Sequence, residues 1–155
     1  MRSLSTAVLL SVTLVTLVAE PYEPPPEQIL KQLHLHSGMV VAEIGSSDAL
    51  RISLQRAVGS LGKVTIVKPA ADGETDLAIA SLDVTVISDS LLHMQNMERL
   101  LAEFRSAIKP QGRLFVLSTP EEYPATAAAL ENAGFDPTEV HPLGAQYSLL
   151  EFTRP

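Results

Sequence analysis

Four short apolar runs recur along this chain, and each gives way to residues whose apolar positions repeat at helical spacing. MVVAEIG (39–45) is hydrophobic almost throughout, the signature of a strand covered on both faces. From Asp48 onward Leu50, Leu54, Ala57, Val58 and Leu61 recur every three or four residues, which predicts an amphipathic helix stopped by Gly62. KVTIVKP (63–69) reads as a second strand and DVTVISD (83–89) as a third. Met97, Leu100, Leu101, Phe104 and Ile108 then share one helix face. GRLFVLS (112–118) is the next strand, 124–132 is a helix closed by Gly134, and two strands are expected near 138–141 and 146–154. Ahead of the first strand, Ile29, Leu30 and Leu33 mark a short helix behind a proline cluster. This alternation predicts an α/β fold: a Rossmann-like three-layer sandwich, its sheet mainly parallel, with helices on both faces. Its ligand crevice belongs at the carboxyl ends of the central strands.

Composition narrows what such a fold can do. With 155 residues and 46% hydrophobic content the chain can bury one sizeable core. Lysine and arginine total 11 against 18 acids, for a net charge of -7, and no basic stripe breaks the pattern, so nucleic acid is excluded as a partner. The chain has no cysteine, which removes disulfides, thiolate metal sites and cysteine nucleophiles.

The N-terminal stretch stands apart. Arg2 precedes LSTAVLLSVTLVTLVA (4–19), an uncharged run followed at once by EPYEPPPEQ. A base, an apolar run and a small residue at its end match a secretory signal. About 16 helical residues at about 1.5 Å each reach roughly 24 Å, short of the roughly 30 Å hydrocarbon core. Residues 1–19 are therefore expected to be a signal peptide or, uncleaved, an N-terminal anchor and the one route to a membrane. Residues 20–27 are expected to be a proline-rich linker, and 28–155 the folded domain. Export to the periplasm or medium is the expected localisation, the cytoplasm if 1–19 is not a signal.

From about Ile29 to Phe152 the chain resembles the class I S-adenosylmethionine-dependent methyltransferases. LHLHSGMVVAEIGSSDA is similar to that family's lead-in turn and first strand, GSLGKVTIVKP to its second strand and DVTVISDSLLHM to its fourth. LLAEFRSAIKPQGRLFVLS is similar to its helix, Lys-Pro-Gly-Gly turn and fifth strand, and ALENAGF to the approach to its last two strands. The resemblance implies S-adenosylmethionine as cofactor and methyl transfer to a small-molecule or protein acceptor. It places Glu43, Gly45, Ser46, Ser47, Lys68 and Ser88 at the cofactor, with Asp89 and His93 as catalytic candidates at the acceptor's mouth.

Several of these positions depart from the family's pattern. Gly45 keeps the first glycine of the turn, while Ser47 and Ala49 replace the second and third. At the end of the second strand the family has an acid that accepts both ribose hydroxyls, and here stands Lys68, which offers only donors. Only AADGETDLAIASL (70–82) separates the second strand from the next, too short for the family's third strand and its flanking helix. Three functions compete: a methyltransferase acting by positioning, an exported non-catalytic binding or scaffold domain, and a nicotinamide-dependent enzyme on a related sheet, against which the absent glycine fingerprint counts.

Other candidates carry less. DGETD (72–76) has alternate acids without the rest of a calcium loop, and His34 and His36 lack a third ligand, so no metal site is expected. Asp89 would alternatively cap the next helix, with His93 on its surface. No phosphate loop, Gly-x-Ser-x-Gly elbow or dinucleotide fingerprint occurs.

Overall fold

The computed structural model describes residues 23–45, 47–68 and 70–155. The expected signal or anchor (1–19) lies outside them, and no helix among the described residues is long and apolar enough to cross a membrane. The first helix, α1 (Pro26–Leu33), opens with a proline in its first turn and so begins inside the expected linker. Then come β1 (Val40–Ile44), α2 (Asp48–Val58), β2 (Lys63–Ile66), β3 (Leu82–Ile87), a single 3-10 turn (Leu91–His93) and α3 (Met97–Ala107). The chain closes with β4 (Ile108–Ser118), α4 (Tyr123–Asn132), β5 (Asp136–Leu143) and β6 (Tyr147–Thr153).

The six strands form one sheet in the order β2-β1-β3-β4-β6-β5. β1 pairs in parallel with β2 and β3, and β3 with β4, while β6 runs antiparallel between β4 and β5. Helices α1 and α2 cover one face through Ile29, Leu33, Leu50, Leu54 and Val58. On the other face α3 and α4 pack through Leu100, Leu101, Phe104 and Leu130. The three-layer sandwich is as expected from the alternation of patterns. So is the missing third strand of the family's sheet: residues 70–81 form turns and extended chain only, and β2 is left as the edge.

Two element boundaries differ from the expectation. Helix α2 stops at Gly59, not Gly62, because Gly59 takes φ +69 and donates its N–H to the Gln55 carbonyl. Leu61 is consequently 84% exposed instead of lying on the apolar face. Gly62 is needed for closeness instead, since a Cβ there would lie 2.5 Å from Val58 Cβ and 2.7 Å from the Met39 carbonyl. Ile108, expected on the helix, turns extended and starts β4 opposite Leu82. The register then jumps to Val84 opposite Arg113, and Gln111 absorbs the bulge at φ +65.

Candidate functional site

The carboxyl ends of β1, β3 and β4 come together where the parallel order reverses, the place a doubly wound sheet leaves open for a ligand. A cleft of about 260 Å³ opens there, roofed by the start of α1 and lined by Ser47, Ser88, Asp89 and Glu122 among others. A wider one of about 540 Å³ adjoins it past Asp89 and Ser90, reaching Ala70 and His93. Among the described residues neither is lined by lysine or arginine. The cleft environment therefore favours groups that carry positive charge or donate hydrogen bonds.

Behind Ser88 of the cleft lining sits Glu43, 1% exposed, the acid next to the last residue of β1. Burial pushes its carboxyl above the ordinary range, against the hydrogen bond from Ser88 that favours the charged form; the nearby Asp89 adds to the rise. Ser88 Oγ lies 3.3 Å from both Glu43 Oε1 and the Ile44 carbonyl, placing its hydroxyl between the two strand ends. That position explains Gly45. A Cβ on it would lie 1.8 Å from Ser88 Oγ and 2.9 Å from Glu43 Oε1, so a larger residue would fit only if the serine turned away from both its partners. Ser47 caps α2 by accepting the Leu50 N–H at 3.2 Å, which explains why a serine works in this turn.

Glu43, Gly45, Ser47, Ser88 and Asp89 are thus brought together; Ser46 lies outside the described residues. Lys68 is not brought to them: it is exposed beyond the edge strand and lines neither cleft. His93 is on the surface, its side chain 79% exposed, with Nε2 3.7 Å from Glu122 Oε1. Ser90, not Asp89, precedes the 3-10 turn, and Asn96 precedes α3. The sequence reading missed Glu122, which accepts a 2.9 Å bond from Ser90 Oγ, together with Thr119 and Tyr147 in the lining. The signal for Glu122 was its place just past LFVLS, at the carboxyl end of a central strand.

The DGETD segment is a turn closed from the Ala70 amide to Glu74, and Arg99 pairs with both Asp72 and Glu74. Two of its three acids, Asp72 and Glu74, are thus occupied by a guanidinium. His34 ends α1 at φ +47, and neither it nor His36 joins a group of three potential ligands among the described residues.

Residues 27–116 match the family model for the methyltransferase domain. The fold also matches an S-adenosylmethionine-dependent methyltransferase of Aquifex aeolicus with a TM-score of 0.74 at 19% identity, covering 85% of this chain and 90% of that one. A TehB-like methyltransferase of Corynebacterium glutamicum aligns with a TM-score of 0.65 at 12% identity, over 84% and 88% of the two chains. The 1,6-didemethyltoxoflavin-N1-methyltransferase of Burkholderia thailandensis, crystallised with S-adenosylhomocysteine, aligns with a TM-score of 0.58 at 17% identity, over 83% and 76%. No curated protein sequence matches. The matched domain spans the first strand, its turn and the sheet as far as β4, and on that ground the chain belongs to the methyltransferase-domain family of class I, S-adenosylmethionine-dependent fold.

Proposed function

We propose that this chain holds S-adenosylmethionine by its methionine end at the turn after β1 and directs its methyl group to an acceptor in the adjoining cleft. The observation that carries the reading is the convergence of Glu43, Ser47, Ser88 and Asp89 at the ends of β1 and β3, in surroundings without a lining lysine or arginine. Acids and hydroxyls suit the cationic end of the cofactor, because they attract an ammonium and a sulfonium while the serines can donate to a carboxylate. The cofactor supplies a methyl group already activated on sulfur. The protein's part is placement, since an aligned nucleophile gains most of its advantage from proximity. Asp89 and Glu122 stand at the mouth as proton acceptors for a hydroxyl or amine of a small molecule or protein.

The ribose end fits less well. Lys68 stands where the sugar's carboxylate belongs and turns to solvent, and residues 70–81 supply no strand beside β2. Weak cofactor affinity follows. The same two features, with Ser88 filling the open side of Gly45, favour a second reading: an exported domain that keeps the fold and binds a partner without turnover.

Melting of the full chain in S-adenosylhomocysteine separates the two. A ligand at 100 times its Kd adds about 2.7 kcal/mol. A saturable rise, made steeper in ligand concentration by Lys68→Asp, supports the methyltransferase. A flat response at millimolar ligand in both proteins supports the non-catalytic domain.

A further inference from the structure

Away from the cleft, the antiparallel edge carries a cluster of ionisable groups that methyl transfer does not use. Glu139 stands opposite Glu151 in the β5–β6 ladder and His141 is two residues further along β5, so all three side chains leave the sheet on one face. His141 and Glu151 are each 8% exposed, on the face that also buries Leu143, Leu149 and Phe115. One imidazole nitrogen sits 2.8 Å from Glu151 Oε2, and the other sits 3.9 Å from Glu139 Oε1. One ligand atom from each residue lies within 4.8 Å of the other two.

Two carboxylates face one guanidinium, that of Arg113, whose Nη1 is 3.9 Å from Glu151 Oε1. Arg113 is itself fixed, donating to the Leu33 carbonyl at 2.7 Å and lying 5.3 Å over the Phe115 ring. His141 and Glu151 are the buried members and Glu139 reaches solvent, so a cation entering past Glu139 would meet an imidazole nitrogen and two carboxylates.

We propose that Glu139, His141 and Glu151 form a binding site for a divalent transition-metal ion of the zinc class, clipping β5 to β6. Bonds of about 2.0–2.2 Å in a tetrahedron put neighbouring ligand atoms roughly 3.3 Å apart, and one ligand atom from each residue already lies within 4.8 Å of the other two, so side-chain shifts bring one imidazole nitrogen and the two carboxylates to that spacing. Mixed nitrogen and oxygen donors, three in number, suit zinc or cobalt, whereas calcium and magnesium take about six or more oxygens. Arg113 stands in the outer role beside a ligating carboxylate: its Nη1 is on the Oε1 side of Glu151, and Oε2, 2.8 Å from the imidazole, is the oxygen that would turn to the ion. Glu139, its side chain 64% exposed, provides the way in and leaves a fourth position to water. His34 and His36, the histidines that stood out in the sequence, take no part.

The test is metal binding by the full chain after removal of bound metal with a chelator. One equivalent of cobalt(II) is expected to give the visible absorption of a four-coordinate site, and zinc is expected to displace it and raise the melting temperature. Glu139→Ala should weaken zinc binding tenfold or more without moving the metal-free melting temperature, because Glu139 is exposed. His34→Ala with His36→Ala should leave binding intact. The proposal is overturned if less than one equivalent of either metal binds, if Glu139→Ala binds as the parent does, if the His34 and His36 replacements abolish binding, or if calcium stabilises as strongly as zinc.

Discussion

Gly45 offers a direct test of how the turn after β1 is built. An alanine there places its Cβ 1.8 Å from Ser88 Oγ, far inside the ordinary contact distance, and 3.2 Å from Ser88 Cβ. The clash has one cheap exit: the serine rotates away. That rotation gives up both 3.3 Å contacts of its hydroxyl, to Glu43 Oε1 and to the Ile44 carbonyl, and leaves a carboxylate that is 1% exposed without its side-chain donor. A lost hydrogen bond of this kind costs about 1–2 kcal/mol, and residual crowding against Glu43 adds about 1 kcal/mol of strain. Gly45→Ala should therefore destabilise by about 2–3 kcal/mol. For a domain of this size that is a melting temperature lower by roughly 6–12 °C. Ser88→Ala alone should cost about 1–2 kcal/mol through the same hydrogen bond. The double variant decides the cause. Since both replacements remove one interaction, their effects should fall short of the sum by about 1–2 kcal/mol in urea unfolding followed by circular dichroism. Effects that add to within about 0.5 kcal/mol would refute the claim that Ser88 dictates glycine at this position.

Two further predictions concern the frame around the site. Asp83 accepts the Val40 N–H at 2.8 Å and a hydrogen bond from Lys109 Nζ at 2.7 Å, tying the start of β1 to the start of β4. Partial burial pushes its carboxyl up, but those two bonds outweigh burial and hold it below the ordinary range. A folded-state value below the unfolded one means that its stabilisation is present above the unfolded pKa and is lost as pH falls through the folded one. Asp83→Asn should cost about 1 kcal/mol at neutral pH. The gap between variant and parent in urea midpoint should close as pH falls below the ordinary carboxylate range, and a gap independent of pH would contradict the assignment. Gln111 sits at φ +65 in the Lys-Pro-Gln-Gly turn, a conformation that costs an L-residue about 1–2 kcal/mol. Gln111→Gly should raise stability by about 0.5–1 kcal/mol after the added freedom of the unfolded chain is counted, and a lower melting temperature would refute this.

What the sequence disclosed and what it concealed divide along the range of the interactions. The strands and helices were legible because their signals are local: continuous apolar runs for β1 and β3, and a repeat of three or four for α2 and α3. Even the loss of the family's third strand could be read, since 13 residues between the second and next strands leave no room for it. Boundaries failed where two glycines competed. Gly59 and Gly62 both looked able to end α2, and only packing against Met39 and Val58 decides which is the cap and which the close contact. The site failed at greater distances. Ser88 lies 45 residues from Glu43, Arg113 is 80 from Leu33, and Glu151 meets His141 only across a ladder. Gly45 shows why this matters. As a pattern it reads as a glycine kept for a cofactor, yet in the fold its missing side chain is already required by a serine from the neighbouring strand. The glycine would therefore be needed whether or not a cofactor binds, and its presence in the sequence cannot by itself report on binding. Lys68 escapes that ambiguity, because it is exposed, so its replacement by aspartate leaves the frame undisturbed while restoring an acid just past the edge strand, where the family's ribose-binding acid stands. If the site is still used, Lys68→Asp will move ligand affinity while leaving the ligand-free melting temperature in place. A change in the ligand-free melting temperature alone would mean that the edge of the sheet, and not the ligand, determines what stands there.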